Sequence, residues 1–353
     1  MKALVLAGGK GTRLRPITHT SAKQLIPVAN KPILFYGLEA IAASGITEVG
    51  IVVGDTKNEI KTTVGDGSRW GIKVTYIEQD TPLGLAHAVK ISKDFIKNDS
   101  FLMFLGDNLL KDGVSAIVES FIKDKPNSKI LLTKVANPQE FGVAQLKNGK
   151  VVALEEKPIN PKSDLALVGV YLFDSTIFEA VNNIKPSKRN ELEITDAIQY
   201  LIDNGYKVEP YIVTGWWKDT GKLEDMLEAN RLILGGMDRS ISGTVDTLST
   251  IEGNVVVEKG ANIKNSCIRG PSIIGEGAKI TNSYIGPFTS VYFGTNIENS
   301  EIEHSIILEN STIKGVKRIA DSLIGQNVNI SKTEKKPISY RIMVGDSSKI
   351  EII

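Results

Sequence analysis

An apolar run, Ala3 to Ala7, breaks into Gly8-Gly9-Lys10-Gly11-Thr12-Arg13. A glycine-rich turn of this kind can aim several backbone N–H groups at one anion, and neighbouring arginine and lysine neutralise its charge. The first 38 residues carry six basic side chains, Lys2, Lys10, Arg13, Arg15, Lys23 and Lys31, and no acid. The combination predicts a seat for a polyphosphate. It is neither of the two best-known phosphate loops. No Gly-Lys is followed by Ser or Thr, which a P-loop requires. Gly9-Lys10-Gly11 opens a dinucleotide fingerprint, but Leu14 stands where its last glycine or alanine belongs.

Other positions would complete a phosphate-transfer site. Asp107 and Asp219 each end an apolar or aromatic stretch, FLMFLGD and GWWKD. A carboxylate there is out of place unless it caps a turn, meets water or binds a cation. Mg²⁺ takes few protein carboxylates and fills its shell with phosphate oxygens and water, so two aspartates would serve. Arg13 offers a planar fork for phosphate and Lys23 a point charge; Lys10 and Arg15 also suit a solvated face. Gln24 and Gln79 each carry an amide that donates and accepts at once, as a pyrimidine edge demands, although either alone also suits a surface. Glu156-Lys157-Pro158 reads locally as a solvated strand end. The three histidines, His19, His87 and His304, point to no chemistry, and His304 reads as a surface residue.

These residues fall in an ordered series. Leu6-Ala7-Gly8-Gly9-x-Gly11-Thr12-Arg13-Leu14-x-Pro16, then Lys23-x-Leu25-x-Pro27-Val28 and Lys31-Pro32, resembles the signature of the sugar-1-phosphate nucleotidylyltransferases. The resemblance extends along nearly the whole chain. It implies attack of a sugar 1-phosphate on the α-phosphate of a nucleoside triphosphate, with release of pyrophosphate. It is nearest to members that carry a C-terminal β-helix and make dTDP-glucose from dTTP and glucose 1-phosphate with Mg²⁺. A UTP-using or promiscuous enzyme is the alternative, with or without acetyl transfer on the β-helix. The resemblance further implies catalytic roles for Arg13, Lys23 and Asp107, with Arg13 on the leaving pyrophosphate. Asp107 and Asp219 would hold the metal. The nucleotide would lie against Leu6, Ala7, Gly8, Gly9, Gly11, Thr12, Arg13, Gln24, Gln79, Pro82, Gly84 and Leu85. The sugar phosphate would lie against Asn108, Gly142, Glu156, Lys157, Val168, Gly169 and Trp217. Arg189 to Asp196 matches a further block, except that Asn190 stands where glycine is usual.

The elements that must position these residues are also legible. Strand-like runs at Val49–Val53, Ile72–Ile77, Phe101–Leu105 and Lys129–Val135 alternate with helical patterns, the first beginning at Lys31-Pro32 and closing at Gly45. Alternation of this kind argues an α/β fold with a mostly parallel sheet, whose ligands bind beyond the carboxyl ends of the strands. Gly8-Gly9, Gly54-Asp55 and Gly106-Asp107 all fall there. Asn148-Gly149 predicts a hairpin between Val143–Leu146 and Val151–Leu154. Helical periodicity stops near residue 240. Asn265-Ser266, Asn282-Ser283 and Asn299-Ser300 then recur every 17 residues, with aliphatic residues between them at steps of five or six. A repeat of this kind predicts a β-helix, with Gly275, Gly277, Gly286 and Gly294 at its corners; the resemblance implies that it is left-handed. The fold expected is a Rossmann-like mixed sheet over residues 1–238, then a left-handed parallel β-helix over 239–353, with the tail from Tyr340 adding a strand or cap.

Composition sets the outer bounds. With 353 residues, 41% apolar and 24% charged, the chain reads as a soluble protein of about two domains. A net charge of +1 gives no global field for nucleic acid or membrane. The single cysteine, Cys267, excludes an internal disulfide and is expected in a core. The opening strand is too short for a signal peptide, so a cytoplasmic protein is expected. A homo-oligomer is implied by the resemblance.

Overall fold

The computed structural model describes residues 1–9, 11–19, 21–333 and 340–351. It divides into two compact units.

The first unit holds most of residues 1–219. Its strands are β1 (Lys2–Leu6), β2 (Glu48–Val53), β3 (Lys73–Glu78), β4 (Phe101–Leu105), β5 (Asn108–Leu110), β6 (Ser128–Lys134), β7 (Gly142–Lys147), β8 (Lys150–Glu156), β9 (Leu165–Phe173), β10 (Val208–Ile212) and β11 (Trp217–Asp219). Its helices are α1 (Ile33–Ala43), α2 (Lys57–Val64), α3 (Leu85–Ile91), α4 (Lys93–Ile96), α5 (Ser115–Asp124), α6 (Ile177–Asn183) and α7 (Ile194–Asp203). The main sheet runs β8-β7-β9-β4-β1-β2-β3, and β6 pairs with both β9 and β10. β1 is parallel to β2 and β4, while β9 is antiparallel to β4, β6 and β7. The sheet is mixed, as the resemblance implies.

Past their first residues, Lys2 of β1 and Glu48 of β2, the central strands are apolar because both faces are covered. Ala3 and Val5 join one buried cluster with Leu34 and Leu38 of α1, Ile60 of α2 and Phe121 of α5. Leu4 and Leu6 join another with Val89 of α3, Ile177 of α6 and Ile198 of α7. Successive side chains of one strand therefore feed opposite layers. Beyond the carboxyl ends of β1, β2 and β4 the chain is glycine, and the spacing is tight. A Cβ on Gly54 would come 2.8 Å from the Gly8 carbonyl oxygen, and one on Gly106 3.0 Å from that of Leu6.

The second unit takes in residues 11–19, Ile26–Pro32 and the chain from Thr220 onward. From Ser240 its short parallel strands stack into three ladders of six, six and four, the left-handed parallel β-helix expected. Ile263, Ile280, Ile297 and Ile313 pair in register and are fully buried. The recurrent Asn-Ser has a structural meaning. Asn265, Asn282 and Asn299 turn the corner at φ between 43° and 48°, a left-handed conformation that asparagine tolerates better than most residues. Each following serine oxygen accepts a backbone N–H from the next coil: Ser283 N on Ser266, Ser300 N on Ser283 and Val316 N on Ser300, each at 3.1 Å. One coil is irregular. Val291 pairs with Ile307, sixteen residues on, where Ile274 pairs with Val291 at seventeen.

Several expectations change. By its contacts the chain from Thr220 onward groups with the second unit. The helix α8 (Leu223–Leu234) belongs to the second unit because Asn230 is committed there. Its Oδ1 accepts from Ala29 N at 2.9 Å and from Ser290 Oγ at 2.6 Å, and its Nδ2 donates to Phe288 O at 3.0 Å. Lys31-Pro32 does not start α1; it pairs with Pro27-Val28 across a turn at Ala29 and Asn30, both at positive φ, and the helix begins at Ile33. Cys267 is half-buried, because Ile268 takes the inward position of that strand. Residues 340–351 carry no strand and are exposed. Lys10, residues 334–339 and the last two residues lie outside the described residues. Among the described residues, no helix is long and apolar enough to cross a membrane.

Candidate active site

The decisive local feature lies in β5 and β11. These three-residue strands pair antiparallel, with Asp219 opposite Asn108 and Trp217 opposite Leu110. The ladder brings Asp219 beside the residue that follows Asp107, although the two aspartates are far apart in sequence. Asp107 stands between β4 and β5 and pairs through Oδ2 with the Lys23 ammonium. Its Oδ1 accepts from Asn108 Nδ2 at 2.9 Å. Burial pushes the Asp107 carboxyl up, but the lysine charge and these hydrogen bonds outweigh it and hold the group below the usual carboxylate range. Lys23 is itself buried, so its partner matters. Asn108 Oδ1 accepts from Trp217 Nε1 at 2.5 Å. Among the described residues no cluster of three or more His, Cys, Asp or Glu forms.

The β1 end carries the next group. Leu6 and Ala7 are buried, and Ala7 N still donates to Val52 O at 2.8 Å. A Cβ on Gly8 would come 3.2 Å from Gln79 Oε1, and one on Gly9 3.8 Å from Gln24 Nε2. Both glutamines therefore flank the opening of the turn. Gln24 is 3% exposed, and its Oε1 has no hydrogen-bond partner. A buried amide oxygen left unmatched is costly unless a ligand meets it. The Gln79 amide nitrogen instead contacts His87 Nδ1 at 2.9 Å. Pro82 is exposed. Gly84 precedes α3 at φ 102°, and a Cβ there would strike the Leu192 carbonyl oxygen at 2.5 Å. Leu85 begins that helix.

The sugar-side residues gather at β7, β8 and β9. A Cβ on Gly142 would lie 2.7 Å from Thr195 Cγ2 and 3.1 Å from Glu156 Oε2. Thr195 Oγ1 donates to Glu156 Oε2 at 3.2 Å, and Arg189 reaches Glu156 Oε1 at 3.5 Å. Burial, then the neighbouring charge of Glu193, raises the Glu156 carboxyl above its ordinary value. Lys157 is exposed at φ 43° and its N–H donates to Phe141 O at 3.0 Å. Gly169 sits at φ 75° where β9 departs from regular pairing with β6, and a Cβ there would come 2.9 Å from Asn108 Oδ1. Val168 is buried in the core, so only its main chain is placed to meet a ligand.

Gly11, Thr12 and Arg13 fall in the second unit. Gly11 is left-handed at φ 62°, Thr12–Leu14 forms one helical turn, and Arg13 is exposed. Asn190 takes φ 58°, so the position that usually holds glycine still makes its left-handed turn. Three residues on which the site depends escaped the sequence reading as individuals. Thr195 and Arg189 hold Glu156, and Phe141 packs edge-to-face on Trp217 at 5.3 Å. Phe141 carried one usable signal: it directly precedes Gly142.

Comparison with known proteins extends this picture. The nucleotidyl transferase family profile matches residues 2–235. A glucose-1-phosphate thymidylyltransferase of Streptomyces antibioticus is 57% identical over 100% of this chain and 99% of its own length. A crystal structure from Bacillus anthracis, provisionally named a glucose-1-phosphate thymidylyltransferase and holding sucrose, superposes at TM-score 0.63 with 38% identity. It covers 66% of this chain and 94% of that one. A UDP-glucose pyrophosphorylase complexed with UDP-glucose reaches TM-score 0.60 at 27% identity, over 66% of this chain and 98% of that one.

Proposed function

The chain belongs to the nucleotidyl transferase family, and from that membership we propose that it joins glucose 1-phosphate to the thymidylyl group of dTTP, giving dTDP-glucose and pyrophosphate. Full-length similarity to a glucose-1-phosphate thymidylyltransferase supports the substrate pair. The observation that carries the chemistry is the β5–β11 ladder, which sets Asp219 beside Asn108 while Asp107 is held by Lys23 and Asn108.

A phosphate oxygen of glucose 1-phosphate attacks the α-phosphorus of dTTP. The bond from that phosphorus to the oxygen bridging to the β-phosphate breaks, and pyrophosphate leaves with the electron pair. The nucleophile is already an anion, so no strong base is needed; the protein must align two polyanions and offset their charge. Asp107 and Asp219 would hold Mg²⁺, a donor set that suits an ion completing its shell with phosphate and water. When bound, the ion neutralises charge on the phosphates. Lys23 gives its charge to the reacting phosphates, and Lys157 binds the phosphate of the sugar. Glu156, kept in place by Thr195, accepts from sugar hydroxyls. The unmatched oxygen of Gln24 takes a donor from the pyrimidine edge. The assignment of Arg13 to the leaving pyrophosphate rests on its motif. The homo-oligomer belongs to the same proposal, and sedimentation of the purified protein checks it.

Thymine and uracil differ by one methyl, which an apolar pocket reads at about 1–3 kcal/mol. The likeness to a UDP-glucose pyrophosphorylase keeps UTP as the alternative donor. The test is pyrophosphate release with Mg²⁺ and glucose 1-phosphate across dTTP, UTP, ATP, GTP and CTP. The fastest turnover is expected with dTTP. Equal or faster turnover with UTP would make the enzyme a uridylyltransferase or a promiscuous one. Silence with all five, and with other sugar 1-phosphates, would overturn the reading.

A further inference from the structure

The side-chain amide of Asn108 has two ends, and its neighbours permit one orientation. The indole N–H of Trp217 donates and cannot accept, so the atom it meets at 2.5 Å is the amide oxygen. The amide nitrogen then faces Asp107 and donates to Oδ1 at 2.9 Å. An ionised carboxylate accepts and cannot donate, so this end is fixed too. The reversed amide would set donor against donor at the indole and oxygen against oxygen at the carboxylate. Trp217 therefore selects the direction of the hydrogen bond on one oxygen of Asp107, while Lys23 pairs with the other.

The indole and the amide are both confined. The Trp217 ring meets Phe141 edge-to-face with planes at 67°. Its backbone is locked opposite Leu110 in the short ladder. At the same amide oxygen a Cβ at residue 169 would crowd Asn108 Oδ1, and Gly169 supplies none, which leaves the amide room to take this orientation.

We propose that Trp217 is a positioning residue: through Asn108 it fixes the orientation in which the Asp107 carboxylate is presented to its cationic partner, with Phe141 holding the indole in place and Gly169 leaving room for the amide. This rests on the reading above, in which Asp107 helps to hold Mg²⁺. It gives the indole a task separate from lining the sugar pocket.

The test removes the donor and keeps the shape, by replacing Trp217 with 3-benzothienylalanine, whose sulfur stands in for the N–H. Trp217→Phe serves as a genetically simpler second variant. Two readouts are needed. One is Mn²⁺ affinity by paramagnetic resonance with a non-hydrolysable dTTP analogue, which needs no turnover. The other is the split of kcat and KM for glucose 1-phosphate. The donorless side chain is expected to weaken Mn²⁺ binding and lower kcat by about tenfold each, with KM held within about twofold. In an Asn108→Ala background the same replacement should have no further effect, because the influence runs through that amide. A raised KM with kcat and Mn²⁺ affinity intact would overturn the proposal and leave Trp217 a pocket wall. Full additivity with Asn108→Ala would also overturn it. If the unaltered protein fails to bind Mn²⁺, the reading of Asp107 as a cation ligand falls, and this proposal with it.

Discussion

The β-helix and the carboxyl ends of the main sheet solve opposite problems. In the β-helix one solution repeats. Each coil places an aliphatic residue inward over its predecessor, and Ser266, Ser283 and Ser300 repeat the same rung. At the sheet ends nothing repeats. Gly8, Gly54 and Gly106 differ in what they approach, and Lys23, Asp107, Asn108 and Trp217 form a single chain of contacts. Repetition spreads stability over many equivalent residues, whereas a site concentrates its consequence in a few. Substitutions should therefore separate into those read in turnover and those read in unfolding.

The sharpest separation is expected from Asp219→Asn. Turnover should fall by about 10³-fold, with the midpoint of thermal unfolding near that of the unaltered protein. Near-normal rates would remove Asp219 from the cation site and blur the contrast. The mirror case is Ile280→Ala, inside a coil and fully buried. It should cost about 2–5 kcal/mol of stability in denaturant titration while turnover of the folded protein at 25 °C changes little. A large loss of activity without loss of stability would mean that the coils take part in the chemistry.

Lys157→Ala should lie between. The side chain is exposed, so stability should hold, and KM for glucose 1-phosphate should rise about tenfold, the scale of one lost charge-assisted contact. An unchanged KM would contradict its role. The smallest effect is expected from Glu156→Gln, and it depends on pH. The Glu156 carboxyl is raised in the folded state, so its ionisation works against folding. Below its ordinary value of 4.5 the residue is protonated folded and unfolded alike, and the two proteins should unfold together. As pH rises through that value and the raised folded one, the natural protein loses stability that the glutamine variant keeps. A gap that widened toward low pH would overturn the assignment of the shift to burial.

The same contrast explains what the sequence made legible. The 17-residue repeat announced the β-helix because every coil restates it, and continuous apolar runs announced β1, β2 and β4 because both their faces are covered. Asp107, Asp219 and Gly169 could be picked out by motif. Their juxtaposition could not, because β5 and β11 are three residues long and carry no periodic signal. Thr195 was matched only as part of a block, and its link to Glu156 exists only once α7 lies against β8. Lys31-Pro32 misled because proline suits a first helical turn, while the adjoining turn at Ala29 and Asn30 drew both residues into a hairpin. The pull of Ile26–Pro32 and α8 toward the second unit follows from Asn230, a lone asparagine whose partners, Ala29 before it and Phe288 and Ser290 after it, all lie far from it in sequence.

The irregular coil has a consequence for how such a chain can change length. Between Ile302 and Ile307 one residue is missing relative to the matching corner from Ile285 to Val291, and between Ile313 and Ile319 one is added relative to Ile297 to Ile302. The interior stack passes through both changes, since Ile307 and Ile313 stay buried in line with their predecessors. The third ladder, by contrast, shrinks there to a single bridge between Ile302 and Ile319. Insertions and deletions are thus absorbed where the chain turns and refused where it runs straight. Peptide tags, loops or whole extra coils should be graftable at the corners, so the β-helix can serve as a ruler whose length is edited in units of one turn.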